Sequence, residues 1–158
     1  MLEIRNLTKK YKGGKVAVDN LSLTVEAGDI FAFIGHNGAG KSTTIKSVVG
    51  ILEFDSGDIF IDGHSVKDEP MACKKDLAYI PDNPDIYDHL TGIQYLNFIG
   101  DVFGVDSATR TAKIDDYATR FDIKKNLGDM VGSYSHGMKQ KLVLISALMH
   151  SPKLLVMD

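Results

Sequence analysis

Gly35-His36-Asn37-Gly38-Ala39-Gly40-Lys41-Ser42 matches the G-x-x-x-x-G-K-[ST] pattern of a phosphate-binding loop. The run Asp29–Ile34 before it is almost continuously apolar, which predicts a strand buried on both faces. The residues from Lys41 to Val49 after it predict a helix that stops at Gly50. Glycines let successive backbone N–H groups face an anion, and the helix N-terminus adds partial positive charge. We therefore expect phosphate binding here, rather than a glycine-rich turn that carries Lys-Ser by chance.

The last two residues of this loop have separate expected roles. Lys41 should reach the β- and γ-phosphates of a nucleotide, and the Ser42 hydroxyl should ligate Mg²⁺.

Composition limits the class of protein. The 158 residues suffice for about one domain with a buried core. A net charge of −3 argues against a nucleic-acid-binding face, so we interpret the cluster Lys9, Lys10, Lys12 and Lys15 as a solvated edge near the nucleotide. Cys73 stands alone, which excludes an internal disulfide and fits a reducing compartment. Without a membrane-length apolar run or a secretory signal, we expect a cytoplasmic chain that meets membranes through a partner.

Hydrophobic periodicity predicts strands first and helices later. The expected strands are Leu2–Leu7, Leu21–Val25, Asp29–Ile34, Asp58–Gly63, Asp76–Pro81 and Leu154–Asp158. The first expected later helix follows the cap Thr91 and has the apolar residues Ile93, Leu96, Ile99 and Phe103. The second spans Ser107–Phe121. The third is capped by Ser135 and directs Met138, Leu142, Ile145 and Met149 inward. The predicted fold class is α/β: a single domain with a P-loop core of residues 1–81 and 151–158, N-terminal antiparallel strands, and a helical insert over 82–150.

The run Tyr134-Ser135-His136-Gly137-Met138-Lys139-Gln140, followed closely by the strand ending in Asp158, resembles the ATP-binding cassette (ABC) family. The nucleotide-binding domains of ABC transporters carry Leu-Ser-Gly-Gly-Gln at a helix start, then four apolar residues and an Asp. The resemblance covers the whole chain. It implies that Asp158, at the end of a buried strand where a carboxylate needs a cation, shares the Mg²⁺ with Ser42. Asp82 stands where the family has a Gln and is expected to face the metal too.

The resemblance also implies two further contacts with ATP. Tyr11 matches the aromatic residue that stacks on adenine, with Val16 beside the ring, although ordinary packing of Tyr11 stays an alternative. Ser135 caps its helix and, with the Gly137 N–H and the helix dipole, forms a second anion-binding end. In the family this end serves the ATP of a second ABC domain, so that two domains pack head to tail. The nucleotide-binding residues expected are Tyr11, Val16, Gly35, His36, Asn37, Gly38, Ala39, Gly40, Lys41, Ser42 and Thr43; the signature residues are Ser135, His136, Gly137 and Met138; the metal ligands are Ser42, Asp82 and Asp158.

Three departures from the family pattern affect the expected activity. His136 replaces a signature Gly, Met138 replaces its Gln, and Asp82 replaces the Gln that helps to place water. The Glu that activates water in the family would follow Asp158. We therefore expect no catalytic residue within the chain, a fragment of a longer ATPase, and little hydrolysis by these 158 residues alone.

The expected function is that of the ATP-binding subunit of an ABC transporter of bacterial exporter type, with ATP and Mg²⁺ as cofactors. Its expected partners are a transmembrane permease and a second ABC domain, with no nucleic acid, at the inner face of the cell membrane. Two alternatives stay open: a soluble ABC ATPase that acts on nucleic acid or ribosomes, and a nucleotide-sensing module without hydrolysis.

Overall fold

The computed structural model describes residues 1–83 and 86–158, which contain six strands and five α-helices. They divide into two compact units, one of residues 1–79, 153–156 and 158, the other of residues 80–152 and 157. The strands are β1 (Leu2–Lys10), β2 (Val16–Val25), β3 (Ser56–Ile61), β4 (His64–Ser65), β5 (Leu77–Ile80) and β6 (Leu154–Met157). The helices are α1 (Lys41–Val48), α2 (Pro70–Asp76), α3 (Gly92–Val102), α4 (Ser107–Arg120) and α5 (His136–Leu148), with short 3-10 turns at Lys124–Asn126 and Val131–Ser133.

An antiparallel sheet of order β2-β1-β3-β4 forms much of the first unit. In β1, Ile4 and Leu7 are both buried although three positions separate them, an odd spacing that simple alternation would place on opposite faces. The register shifts between these two residues, where Asn6 has a φ of 52°. This irregularity returns Leu7 to the core face, and the Asn6 N–H is satisfied by Ser22 Oγ at 2.9 Å.

Strands β5 and β6 form a second, two-stranded sheet. The start of β6 is tied to its surroundings by Lys153, whose backbone N–H donates to the Asp76 carbonyl at 2.8 Å. The Lys153 ammonium donates to Asp62 Oδ2 at 2.5 Å and to Asp76 Oδ2 at 3.1 Å. The hydrogen bond from Lys153 is the main reason that the pKa of Asp62 lies below its ordinary value. Lys153 thus fixes the strand that carries Asp158.

The predicted strand Asp29–Ile34 is wrong. Residues 29–34 have no strand assignment, Ile30 and Ile34 are almost fully exposed, and Phe31 is half exposed. A strand is defined by hydrogen bonds to a neighbour, and none of the strands in the described ranges pairs with this segment. An apolar composition alone therefore does not make the strand here.

Helices α3, α4 and α5 pack around the core of the second unit. Its most buried side chains are Leu96, Ala118, Ile123, Val131, Leu142, Ile145 and Met149. The predicted caps are confirmed: Thr91 and Gln94 form a reciprocal capping box at α3, and Ser135 Oγ accepts the Met138 N–H at α5. The mixed α/β fold with N-terminal antiparallel strands is confirmed as well. Within the described ranges, no helix combines the length and the apolar character needed to cross a bilayer.

Candidate nucleotide-binding site

The backbone of the phosphate loop takes conformations that favour glycine. Gly38 has a φ of 85° and Gly40 a φ of 91°, a left-handed region that side chains with a Cβ seldom adopt. At Gly40 a Cβ would also collide with the carbonyl oxygen of Ala17, so both the backbone conformation and the available space favour glycine at this position. Gly40 is the N-cap of α1, and its carbonyl accepts the Thr44 N–H at 2.8 Å. The loop is thereby locked onto the start of the helix.

The Lys41 side chain turns back over the loop. Its ammonium donates to the carbonyl oxygens of Gly35 at 2.6 Å and of His36 at 2.9 Å. The His36 carbonyl also accepts the Ala39 N–H at 3.2 Å. A lysine ammonium carries three donors, so it can hold these two carbonyls and donate to a phosphate oxygen as well. The Lys41 ammonium is therefore placed to compensate the negative charge of an anion bound in the loop.

Ser42 and Asp158 meet at the start of α1. Ser42 Oγ donates to Asp158 Oδ1 at 2.9 Å, which joins the phosphate loop to the end of β6. Burial, and after it the negative charge of Asp158, raises the pKa of Tyr79 in the neighbouring strand β5. Two hard oxygen groups side by side suit Mg²⁺, which usually takes one or two protein ligands together with phosphate oxygens and water. These residues fit the metal expected from the sequence.

A cleft of about 240 Å³ runs beside the loop and is the candidate nucleotide pocket. Tyr11 lines it, and its hydroxyl lies 3.2 Å from Thr43 Oγ1 of α1. Val16 begins β2 opposite Lys10 and is exposed, whereas the next residue, Ala17, lines the cleft. Successive strand residues face opposite ways, which explains why only one of the two contributes. Within the described part of the chain, the cleft is lined by Tyr11, Lys15, Ala17, Asn37, Gly38, Gly40, Lys41, Ser42 and Thr43.

The expected signature residues lie in the second unit, at the start of α5. Ser135, His136 and Gly137 are exposed, and Ser135 Oγ accepts the Met138 N–H at 3.3 Å. The Met138 side chain packs against the helical core. The first amides of a helix have no acceptor within the helix, and the dipole makes this end favourable for an anion. Ser135 therefore serves as a cap, and the exposed first turn is available to a ligand.

Two anchors of this helix start escaped the sequence interpretation. Tyr134 is buried and its hydroxyl donates to the Asn126 carbonyl at 2.5 Å. Gly92 makes room for it, since a Cβ there would collide with the Tyr134 hydroxyl. Lys139 Nζ, one turn into α5, lies 2.7 Å from Asp88 Oδ1. The bulky Tyr134 beside Ser135 was the signal in the sequence for this anchor. Residue spacing does not identify Asn126 as the acceptor of its hydroxyl.

Asp82 follows β5 and Pro81 and is exposed in the second unit. Its role at the metal stays a prediction. Among the described residues, no cluster of three or more His, Cys, Asp or Glu side chains could hold a metal by itself. A magnesium site here would therefore depend on phosphate oxygens in addition to Ser42 and Asp158.

Comparisons with known proteins identify the family of the chain. A family model described as ABC transporter matches residues 18–158. The chain is 38% identical to the uncharacterized ABC transporter ATP-binding protein YhcH of Bacillus subtilis (strain 168), an alignment that covers 100% of this chain and 50% of that protein. It is 31% identical to the ABC-type transporter ATP-binding protein EcsA of the same organism, with 100% and 64% covered.

Solved structures give the same result. The structure of an ATP binding subunit of an ABC transporter superposes with a TM-score of 0.93 at 32% identity, covering 100% of this chain and 65% of that one. CbiO1 from Clostridium perfringens, part of the ABC transporter complex cbiONQ, superposes with a TM-score of 0.85 at 22% identity, which supports the fold alone. The chain thus spans about half the length of YhcH and about two thirds of EcsA and of the solved subunits.

Proposed function

Since this chain belongs to the ABC transporter family, we propose that it is the ATP-binding part of a transporter subunit, in which ATP binding and hydrolysis move a membrane partner. The observation that carries the proposal is the contact between Asp158 and Ser42, because Ser42 lines the same cleft as Lys41. It assembles a cation for phosphate and two oxygen ligands for a metal at one position. A structural glycine turn would need neither.

Within this proposal each residue has a defined task. The backbone of Gly38–Gly40 and the start of α1 hold the phosphates, and the Lys41 ammonium, held over the loop by two carbonyls, adds a positive charge. Ser42 and Asp158 would hold Mg²⁺, which would neutralise part of the phosphate charge. Tyr11 supplies the stacking surface for adenine, and its bond to Thr43 fixes the distance from that surface to the loop.

The proposed partners follow the family. Residues 1–81 and 151–158 would form the nucleotide-binding core and residues 82–150 the helical subdomain, an assignment that the two compact units support. The exposed start of α5 would bind the ATP of a second ABC domain packed head to tail. A transmembrane permease subunit would hold the pair at the inner face of the cell membrane.

Hydrolysis by the parent protein requires one group more. Transfer of phosphate to water needs a residue that orients or deprotonates the nucleophile. Asp158 already contacts Ser42, and family resemblance assigns the base to a Glu at the following position. We expect the 158-residue chain to release little phosphate from Mg·ATP, and a version extended past Asp158 to release it readily. Equal turnover by both would locate the base inside the chain, with Asp82 the first residue to mutate.

Nucleotide titration of Lys41→Ala tests the proposed function. The substitution removes the lysine cation of the loop motif, so affinity for ATP and ADP should fall at least tenfold, in keeping with hydrogen bonds to charged groups. Lys46→Ala is the matched control, because Lys46 is exposed in the last turn of the same helix. Unchanged affinity in Lys41→Ala, or an equal loss in Lys46→Ala, would overturn the phosphate-loop assignment.

A further inference from the structure

The four lysines around the turn between β1 and β2 are not equivalent. The Lys9 ammonium lies over the Tyr11 ring, 5.7 Å from its centroid. The Lys10 backbone N–H donates to Asp55 Oδ2 at 2.6 Å. Lys12 is exposed, and Lys15 lines the nucleotide cleft. Lys15 is exposed, as expected of a solvated edge near the nucleotide, but it differs from Lys12 in lining the cleft.

Hydrogen bonds of the turn fix where Lys15 stands. Its carbonyl accepts the Tyr11 N–H at 2.9 Å, and the Tyr11 carbonyl accepts the Gly14 N–H at 3.1 Å. Tyr11 is in turn connected to Thr43 of α1. The turn is consequently tied to α1 through Tyr11, and Lys15 lines the same cleft as Tyr11, whose backbone N–H its carbonyl accepts.

We propose that Lys15 is a second cationic binding residue of the nucleotide site, contacting the phosphate oxygens nearest the nucleoside. This inference rests on the proposed function. Among the described residues that line the cleft, Lys15 and Lys41 carry charge; Lys15 is hydrogen-bonded through its carbonyl to Tyr11, and Lys41 belongs to the phosphate loop. A lysine ammonium donates hydrogen bonds and accepts none, so its ligand must offer acceptor oxygens. The α-phosphate is the anionic group that lies next to a nucleoside stacked on Tyr11.

The test compares ADP binding by Lys15→Ala and Lys12→Ala, measured by calorimetric titration at low and high KCl. Lys12 belongs to the same turn but does not line the cleft, so it controls for the loss of a positive charge from this surface. We expect Lys15→Ala to bind ADP roughly fivefold more weakly at low salt, the order found for exposed ion pairs, and Lys12→Ala to bind as the wild type does. Lys15→Arg should keep most of the affinity.

Salt dependence separates charge from structure. An exposed charge interaction is screened by salt, so the deficit of Lys15→Ala should shrink at high KCl, whereas damage to the turn would persist at every salt concentration. A deficit independent of KCl, or one equal to that of Lys12→Ala, would overturn the inference. Because Lys41→Ala is measured in the same titrations, the result also distinguishes the two proposals. If Lys41→Ala weakens ADP binding and Lys15→Ala does not, the proposed function is retained and the proposed role of Lys15 is rejected.

Discussion

Ser42 and Asp158 are hydrogen-bonded to each other, and their proposed role as ligands of Mg²⁺ can be tested by changing single atoms. Asp158→Asn keeps the size of the side chain but removes its charge. We expect this variant to bind ATP much more weakly with Mg²⁺ present, and nearly as the wild type does in EDTA, because an amide is a poor substitute for a carboxylate toward a hard cation. Nucleotide titration under both conditions measures the difference.

The control for that experiment is Asp58→Asn, which removes a carboxylate from an exposed position of β3 in the same unit. It should leave both affinities unchanged. Equal weakening of Asp158→Asn with and without Mg²⁺ would give Asp158 a purely structural role in holding Ser42.

At the residue scale, the sequence is informative where function depends on a contiguous backbone. The phosphate loop needs glycines and a Lys-Ser pair at fixed local spacing, and the structure has the loop conformations that this pattern predicts. Asp158 was paired with the distant Ser42 only through the family resemblance, and residues without such a guide were missed. Tyr134 finds its acceptor at Asn126 and its space at Gly92, and neither is implied by its own neighbours in the chain.

At the level of elements, the start of α5 combines a structural cap with a proposed ligand site, and two substitutions of Ser135 separate them. Ser135→Ala loses the side-chain acceptor and should lower the free energy of unfolding by about 1 kcal/mol. Ser135→Asp keeps an acceptor, and its negative charge suits a helix N-terminus, so its stability should remain near wild type. The same charge would repel a γ-phosphate, so nucleotide-dependent association should be lost.

Thermal unfolding measures the change in stability. Sedimentation velocity with Mg·ATP measures association, and it is carried out on a version extended past Asp158. Thr91→Ala is the control, since it removes the cap of α3 by the same chemistry. It should reduce stability without affecting association. Association of Ser135→Asp at wild-type strength would show that this helix end binds no phosphate.

The elements that could be predicted from the sequence are those with local signals, such as a cap or an apolar periodicity. Helix α3 was identified from its cap at Thr91 and its apolar periodicity. Helix α2 was missed because it has only seven residues and buries only Cys73, which leaves no apolar stripe to recognise. The strand predicted over residues 29–34 was wrong for the opposite reason. Its composition suits a buried strand, but no described strand pairs with it.

On the scale of the whole molecule, a head-to-tail arrangement makes a prediction about mixtures of variants. Each site would combine the phosphate loop of one chain with the α5 start of another. Lys41→Ala lacks a working loop and Ser135→Asp lacks a working helix start, so neither should hydrolyse ATP alone in the extended version. A mixture should recover activity, because a mixed pair contains one site made of two intact halves.

Phosphate release by the two variants, separately and mixed at constant total concentration, measures this recovery. Mixing Lys41→Ala with Asp158→Asn is the control, because both changes fall in the same half of the site and no mixed pair restores it. Recovery in the control, or none in the test mixture, would contradict the head-to-tail arrangement.

The contact between Ser42 and Asp158 also has a consequence for the order of events as the chain is made. The phosphate loop and α1 are contiguous, whereas 116 positions separate the two residues of this contact. Closing so long a loop carries an entropic cost that local structure does not, and contacts of this kind slow folding. During synthesis, the phosphate loop and α1 precede every residue of β6, so the Asp158 carboxylate is the last part of the site to be made. The emerging chain would therefore acquire affinity for nucleotide before it acquires a dependence on magnesium.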